Sequence, residues 1–192
     1  MVHKEEVLDP KEANEAIVLV QMLAADQGFV AVLAGGVALQ VYGSRRFTND
    51  VDFVLSGPPL DLGPFRKIRP IGFGGSRVLA PNGVKVDLIV REDEYEALYV
   101  DAIKSAVVST DGIPVVTVEH LAVMKFAAGR EKDIQDLKWI IRQPRLLSLQ
   151  KAKGIVYKFF GRFGQDRFED IVDQALIEQE MMRRRSRDPE EE

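Results

Sequence analysis

The sequence predicts an α/β (α+β) protein, a small mixed β-sheet flanked by helices and followed by a helical C-terminal part. Three observations carry this. Short apolar runs of strand length, at residues 29–34, 51–55, 73–79 and 84–90, alternate with segments of helical period in the first 116 residues. Pro81-Asn82-Gly83 sits between two of these runs, and Asn-Gly in that position is a strong hairpin signal. Beyond residue 116 the apolar patterning is helical throughout.

Taken in order, residues 10–27 place Ala13, Ile17, Val20, Met22, Leu23 and Ala24 in roughly one helical stripe, which Gly28 stops. Residues 29–34 form a nearly continuous apolar run, the mark of a buried strand. Gly35-Gly36 is a turn, and residues 37–42 are a short helix closed by Gly43. A second strand over 51–55 ends at Ser56-Gly57-Pro58-Pro59. Residues 60–70 hold too much Pro and Gly for one long element and read as loop. The hairpin strands follow at 73–79 and 84–90, then a helix at 92–105 and an irregular or short strand segment at 107–116. Thr117 is placed to cap a helix over 118–128. Gly129 interrupts, a helix resumes over 132–142, and two more are expected near 146–160 and 165–184. The last sets Phe168, Ile171, Val172, Ala175 and Leu176 on one face, as core patterning does. The expected organisation is a core of residues 1–116 and a helical region of residues 117–192 packed on it, with a frayed tail at 183–192.

Composition bounds the function. Of 192 residues, 46% are hydrophobic and 29% charged, which suits a globular domain with its own core. No apolar run reaches the roughly 18 residues of a membrane span, since the longest, near 17–23, is broken by Gln21. The first residues lack the basic-then-apolar order of a secretion signal, so a cytoplasmic location is expected. With no cysteine there is no thiol nucleophile, disulfide or zinc–thiolate site. The net charge of −4 argues against a general polyanion binder. The basic stretch Arg142, Arg145, Lys151, Lys153, Lys158, Arg162 and Arg167 is either a phosphate-facing surface or a solvated helix face.

The chemistry concentrates on carboxylates. Alternate residues of a strand share a face, so Asp50 and Asp52 point together while Val51 and Phe53 point to the core. Two adjacent carboxylates repel unless a cation sits between them, and Mg²⁺ commonly takes one or two carboxylates plus substrate phosphates. Asp87 interrupts an otherwise apolar strand, where an unpartnered carboxylate is costly to desolvate. It either joins Asp50 and Asp52 around metal or pairs with Lys85 or Arg91 at a strand edge. Gly35-Gly36 lets backbone N–H groups approach a phosphate at the start of a helix, or merely permits a tight connection. Arg46 and Thr48 precede the acids and either bind phosphate or cap a loop. Histidine chemistry is not expected: His3 and His120 have no companion ligand. Gly72-Phe73-Gly74-Gly75-Ser76 lacks the Lys-Ser/Thr of a P-loop and leads into a strand. Trp139 is read as core.

The order of strand, Gly-Gly, short helix, Gly43-Ser44-Arg45-Arg46-Phe47-Thr48-Asn49-Asp50-Val51-Asp52-Phe53 and then Asp87 in an apolar strand resembles the nucleotidyltransferase superfamily related to DNA polymerase β. The spelling Leu33-Ala34-Gly35-Gly36-Val37-Ala38-Leu39 with Arg46-x-Thr48-x-Asp50-Val51-Asp52 is similar to its AbiEii-type toxin and abortive-infection branch. The resemblance covers residues 29–90 well and the later helices loosely. It implies Mg²⁺ (or Mn²⁺) on Asp50, Asp52 and Asp87, and an NTP substrate contacted by Gly35, Gly36, Arg46 and Thr48. It further implies transfer of a nucleoside monophosphate to an RNA such as a tRNA, to a protein or to a small molecule, possible pairing with an antitoxin protein, and no membrane. In the stretch from His120 to Leu137 the resemblance assigns Lys125 to the triphosphate and Asp133 to orienting Lys125 or assisting the acceptor. On residue type alone, Lys125 is equally a surface lysine snorkelling from a helix, and Asp133 and Asp136 equally complement a helix dipole. The competing functional classes are a catalytically silent nucleotide- or RNA-binding protein and one partner of a toxin–antitoxin pair.

Overall fold

The computed structural model describes residues 7–185. His3 and the tail from residue 186 onward lie outside the described residues, whereas residues 183–185 belong to the last helix. The chain divides into two compact units, one running to Thr117 and the other starting at Val118.

The first unit is built on a seven-stranded mixed sheet. Its elements are α1 (Pro10–Gln27), β1 (Ala31–Ala34), α2 (Gly35–Val41), β2 (Asp50–Leu55), β3 (Arg66–Pro70), β4 (Ser76–Leu79), β5 (Lys85–Ile89), α3 (Glu96–Lys104), β6 (Val107–Val108) and β7 (Pro114–Val115). The strand order is β3-β4-β5-β2-β1-β7-β6. Both β2 and β5 therefore lie inside the sheet, running parallel to each other, with β1 antiparallel to β2 and β4 antiparallel to β5. Central placement explains why their sequences are so apolar: Val51, Phe53, Val54, Val86 and Leu88 are all at most 1% exposed. Helix α1 starts at a capped end, where the Asp9 carboxylate accepts hydrogen bonds from the N–H groups of Lys11 and Glu12. It stops at Gly28, whose φ of 75° is the left-handed cap that a glycine adopts at little cost. Its Ala16, Ile17, Val20, Leu23 and Ala24 are buried, and it packs on β1 and β2.

The hairpin between β4 and β5 closes through a three-residue loop. The Gly83 N–H donates to the Ala80 carbonyl and the Ala80 N–H to the Val84 carbonyl, with Gly83 at φ 89°. This is a turn followed by a left-handed glycine. The loop fixes a register in which Leu79 faces Lys85, Val78 faces Val86 and Arg77 faces Asp87.

Two expectations are corrected here. The stretch 60–70, read as loop, contains β3, an exposed edge strand paired only with β4. All five of its residues are exposed, so it carries no apolar alternation by which it could be recognised. Strand β4 begins at Ser76 rather than at residue 73. Gly74 and Gly75 have φ of 109° and 94° and lie so close to β5 that a Cβ would come within about 2 Å of the Val90 and Leu88 carbonyls.

The second unit is helical: α4 (Val118–Ala128), α5 (Glu131–Ile141) and α6 (Leu149–Arg185). Gly129, at φ 63°, separates α4 from α5. The two expected terminal helices are both present within α6, meeting at Gly161, whose φ of 64° and ψ of −163° are non-helical. Phe126 of α4 meets Phe160 and Phe168 of α6 edge-on, with both centroid separations 5.5 Å. Trp139 is only half-buried; its neighbour Lys138 is buried and reaches Glu178 at 2.7 Å, with Arg142 joining the same carboxylate. No described helix is long and apolar enough to cross a membrane.

Candidate active site

Strand β1 passes into α2 without a loop, and that junction is Gly35-Gly36. Gly35 has φ 62°, and a Cβ there would lie 1.8 Å from Asp52 Oδ2. A Cβ on Gly36 would lie 2.5 Å from Thr48 Oγ1 and 3.5 Å from Arg46 Nη1. The two glycines thus make room for the side chains that the sequence groups with them. Thr48 is buried, and its hydroxyl lies 3.3 Å from both the Asp50 carbonyl and Asp50 Oδ1. The segment before it is tied back to α2, because the Gln40 amide donates to the Arg46 carbonyl.

Asp50 and Asp52 stand on one face of β2, with Val51 and Phe53 buried on the other. The parallel register of β2 and β5 sets Asp52 beside Asp87. One oxygen from each of Asp50, Asp52 and Asp87 lies within 4.8 Å of the others. The cluster borders the glycine turn through Asp52, whose register partner on β1 is Ala34.

One residue in the cluster was not foreseen. Arg77 of β4, directly across from Asp87, reaches into the acids. Its Nε donates to Asp87 Oδ1 at 2.6 Å and its Nη2 to Asp87 Oδ2 at 2.6 Å and Asp50 Oδ2 at 3.1 Å. The hydrogen bond to Asp87 raises the Arg77 pKa; partial burial opposes this, and the charges of Asp87, Asp50 and Asp52 add to it. Neither suggested alternative partner takes Asp87. Lys85 faces Asp50 in the register, and Arg91 is paired bidentately with Asp93 and lies over the rings of Phe73, Tyr95 and Tyr99. Arg77 was legible only through the hairpin: a three-residue loop centred on Asn82 pairs position 77 with position 87.

Three carboxylates gather here with the Arg77 guanidinium among them, and every ligand atom they offer is a hard oxygen. That donor set suits a divalent ion such as Mg²⁺ or Mn²⁺.

Lys125 and Asp133 belong to the second unit. Lys125 is buried, with its Nζ 2.8 Å from Asp133 Oδ1 and 2.8 Å from Asp136 Oδ2. Arg130 Nε reaches the other Asp133 oxygen at 2.5 Å. Burial alone would raise the Asp133 pKa, but the hydrogen bonds from Arg130 and Lys125 prevail and hold it below the ordinary carboxylate value. Lys125 is therefore not a snorkelling surface lysine; it is the centre of a buried ionic knot between α4 and α5. His120 is likewise buried.

No protein-family model matches the chain, and no curated protein matches it. Solved structures do. The solution structure of the antibiotic-resistance factor ANT(2'')-Ia superposes with a TM-score of 0.51 at 14% identity, over 82% of this chain and 98% of that one. The fold is a nucleotidyltransferase fold. The crystal structure of ANT(2'')-Ia in complex with adenylyl-2''-tobramycin gives the same TM-score and identity, over 78% of this chain and 99% of that one. An antigenic nucleotidyltransferase-like protein from Paracoccidioides brasiliensis follows at TM-score 0.49 and 14% identity, over 88% and 95%. Within this nucleotidyltransferase fold, the carboxylate cluster and the glycine turn share one region of the first unit.

Proposed function

We propose that the protein is a metal-dependent nucleotidyltransferase that moves a nucleoside monophosphate from an NTP to an acceptor and releases pyrophosphate. The observation that carries this is the gathering of Asp50, Asp52 and Asp87 within 4.8 Å beside Gly35 on a fold shared with ANT(2'')-Ia. Asp50, Asp52 and Asp87 would hold Mg²⁺ or Mn²⁺, which when bound neutralises phosphate charge and polarises the reacting phosphoryl group. Gly35 and Gly36 present backbone N–H groups to the triphosphate, and Arg46 and Thr48 flank it. An acceptor hydroxyl attacks the α-phosphorus, the bond to the pyrophosphate leaving group breaks, and the hydroxyl proton passes to a carboxylate oxygen of Asp87. By the resemblance, Lys125 would meet the triphosphate and Asp133 would orient its ammonium. The chain's spelling around Gly35-Gly36 and Arg46-x-Thr48-x-Asp50 supports an AbiEii-like toxin branch with a cognate antitoxin. The acceptor class is then an RNA such as a tRNA 3′ end, a protein hydroxyl, or a small molecule such as an antibiotic.

A second reading has one observation on its side. Arg77 supplies Asp87 and Asp50 with a counter-charge from the protein itself, which would suit a catalytically silent nucleotide- or RNA-binding protein or a partner of a toxin–antitoxin pair. The two readings separate on incubation with Mg²⁺ and each labelled NTP, together with total RNA, candidate proteins or candidate small molecules. Label transferred by wild type and lost in Asp52→Ala supports the enzyme. Absence of transfer from every NTP, with no metal-dependent nucleotide binding, rejects it, and an Asp52→Ala variant as fast as wild type rejects the site.

A further inference from the structure

We infer that Arg77 is a resident competitor for the metal: its guanidinium holds the carboxylates in the ion-free state and must withdraw before a divalent cation can bind. This rests on the metal-dependent reading above and deepens it.

The geometry is that of a forked arginine clamp. Both Asp87 oxygens are engaged at 2.6 Å, one by Nε and one by Nη2, and the same Nη2 spans to Asp50 at 3.1 Å. Two of the three acids that would ligate an ion are thereby bridged by a fixed positive charge. Arginine stays protonated at any pH the fold survives, so it cannot yield the site by losing its proton. Bidentate, charge-assisted pairs are among the stronger polar contacts, and a dication on the same carboxylate would repel the guanidinium. The site and its competitor therefore exclude each other.

The fold also explains why Arg77 turns toward the acids. Its register neighbour on the other side, across β3, is Arg69, and like charges directly opposite are unfavourable. Arg77 is pushed from the edge and drawn to Asp87. Its side chain is 24% exposed against 14% for Asp87, so it retains a path to solvent and can swing out while the strand stays paired. A withdrawn guanidinium then stands free for an anionic group of the incoming substrate.

The test is Mn²⁺ binding to the full chain, followed by titration calorimetry and by loss of the free-ion paramagnetic resonance signal, with no turnover required. Arg77→Met should tighten Mn²⁺ binding about tenfold or more, equivalent to about 1.4 kcal/mol. Arg69→Met, which removes an equal charge without touching the acids, should change it less than about threefold. Arg77→Lys replaces the fork with a single point charge, so it should tighten binding by at least about threefold and serves if the methionine variant fails to fold. Equal affinity in wild type and the Arg77 variants overturns the competition while leaving the metal site standing. Equal tightening by Arg69→Met also overturns it, since the effect would then be general charge. If neither wild type nor the Arg77 variants bind Mn²⁺ at millimolar concentration, the competition and the metal reading fall together.

Discussion

Adding one methyl group to Gly35 should separate the roles of backbone and site. Gly35 and Gly28 have similar left-handed φ values, 62° and 75°. Placing an L-residue in that region costs about 1–2 kcal/mol at either position. Their surroundings differ. A Cβ on Gly28 meets nothing within 4 Å, whereas one on Gly35 falls 1.8 Å from Asp52 Oδ2. To reach ordinary contact at 3.4 Å, Asp52 must retreat by about 1.6 Å, away from the register that aligns it with Asp87. Overpacking of this kind adds about 1–3 kcal/mol. Gly35→Ala should thus cost about 2–5 kcal/mol against about 1–2 for Gly28→Ala. Urea denaturation of both variants measures the difference. In addition, displacing a reacting group by about 1 Å costs about a hundredfold in rate, so Gly35→Ala should lose Mn²⁺ binding and nucleotidyl transfer while Gly28→Ala keeps both. If the two variants match in stability and in Mn²⁺ affinity, Asp52 does not depend on the glycine, and the account of the turn is wrong.

Two further predictions concern the second unit. Lys125→Met strands Asp133 and Asp136 in a buried setting and should destabilise the protein by about 3–5 kcal/mol in chemical denaturation; combining it with Asp133→Asn and Asp136→Asn should recover much of that loss. Wild-type stability in Lys125→Met would overturn the ionic-knot account, and loss of nucleotide binding in that variant would support the triphosphate role proposed for the lysine. The depressed Asp133 pKa fixes the sign of an acid response, because the folded state binds this proton less readily than the unfolded chain. Its contribution is complete above the ordinary carboxylate range, near pH 4, and fades as pH falls through the lower folded value. Helical circular dichroism against pH should show the loss beginning near that point, and an Asp133→Asn variant should show a flatter profile; coincident profiles would remove Asp133 from the acid response.

The sheet's interior was legible because burial writes itself into sequence. β1, β2 and β5 are apolar runs; alternation puts the two acids of β2 on one face, while the acid of β5 joined them only through the family resemblance, with pairing to Lys85 or Arg91 as the alternative. The outer sheet was not. β3 exposes every residue and is held by backbone pairing to β4 alone, so its Arg66-Lys67-Ile68-Arg69-Pro70 spelling is indistinguishable from a loop. Strand β4 was over-extended because Phe73 looked like strand, while the positive φ of Gly74 and Gly75 depends on how closely they approach β5. In the helical unit, Trp139, read as core, is half-buried while its neighbour Lys138 is buried: a lysine tolerates burial once Glu178 lies within reach, a partner 40 positions away. The acids of the candidate site could be grouped from sequence by alternation and order. Arg77 could not, since its meaning comes from register rather than from residue type.

That register has a consequence for how such a protein can vary. β5 is held on its far side by β2, so Asp87 is anchored independently of the hairpin. A one-residue change in the length of the Pro81-Asn82-Gly83 loop would shift β4, with β3 on its outer edge, against β5. Ser76 or Val78 would then face Asp87, and Arg77 would turn to the opposite side of the sheet. Loop length at this remote point acts as a gearing between the two strands: it sets whether the acids carry their own counter-charge while leaving every carboxylate in place.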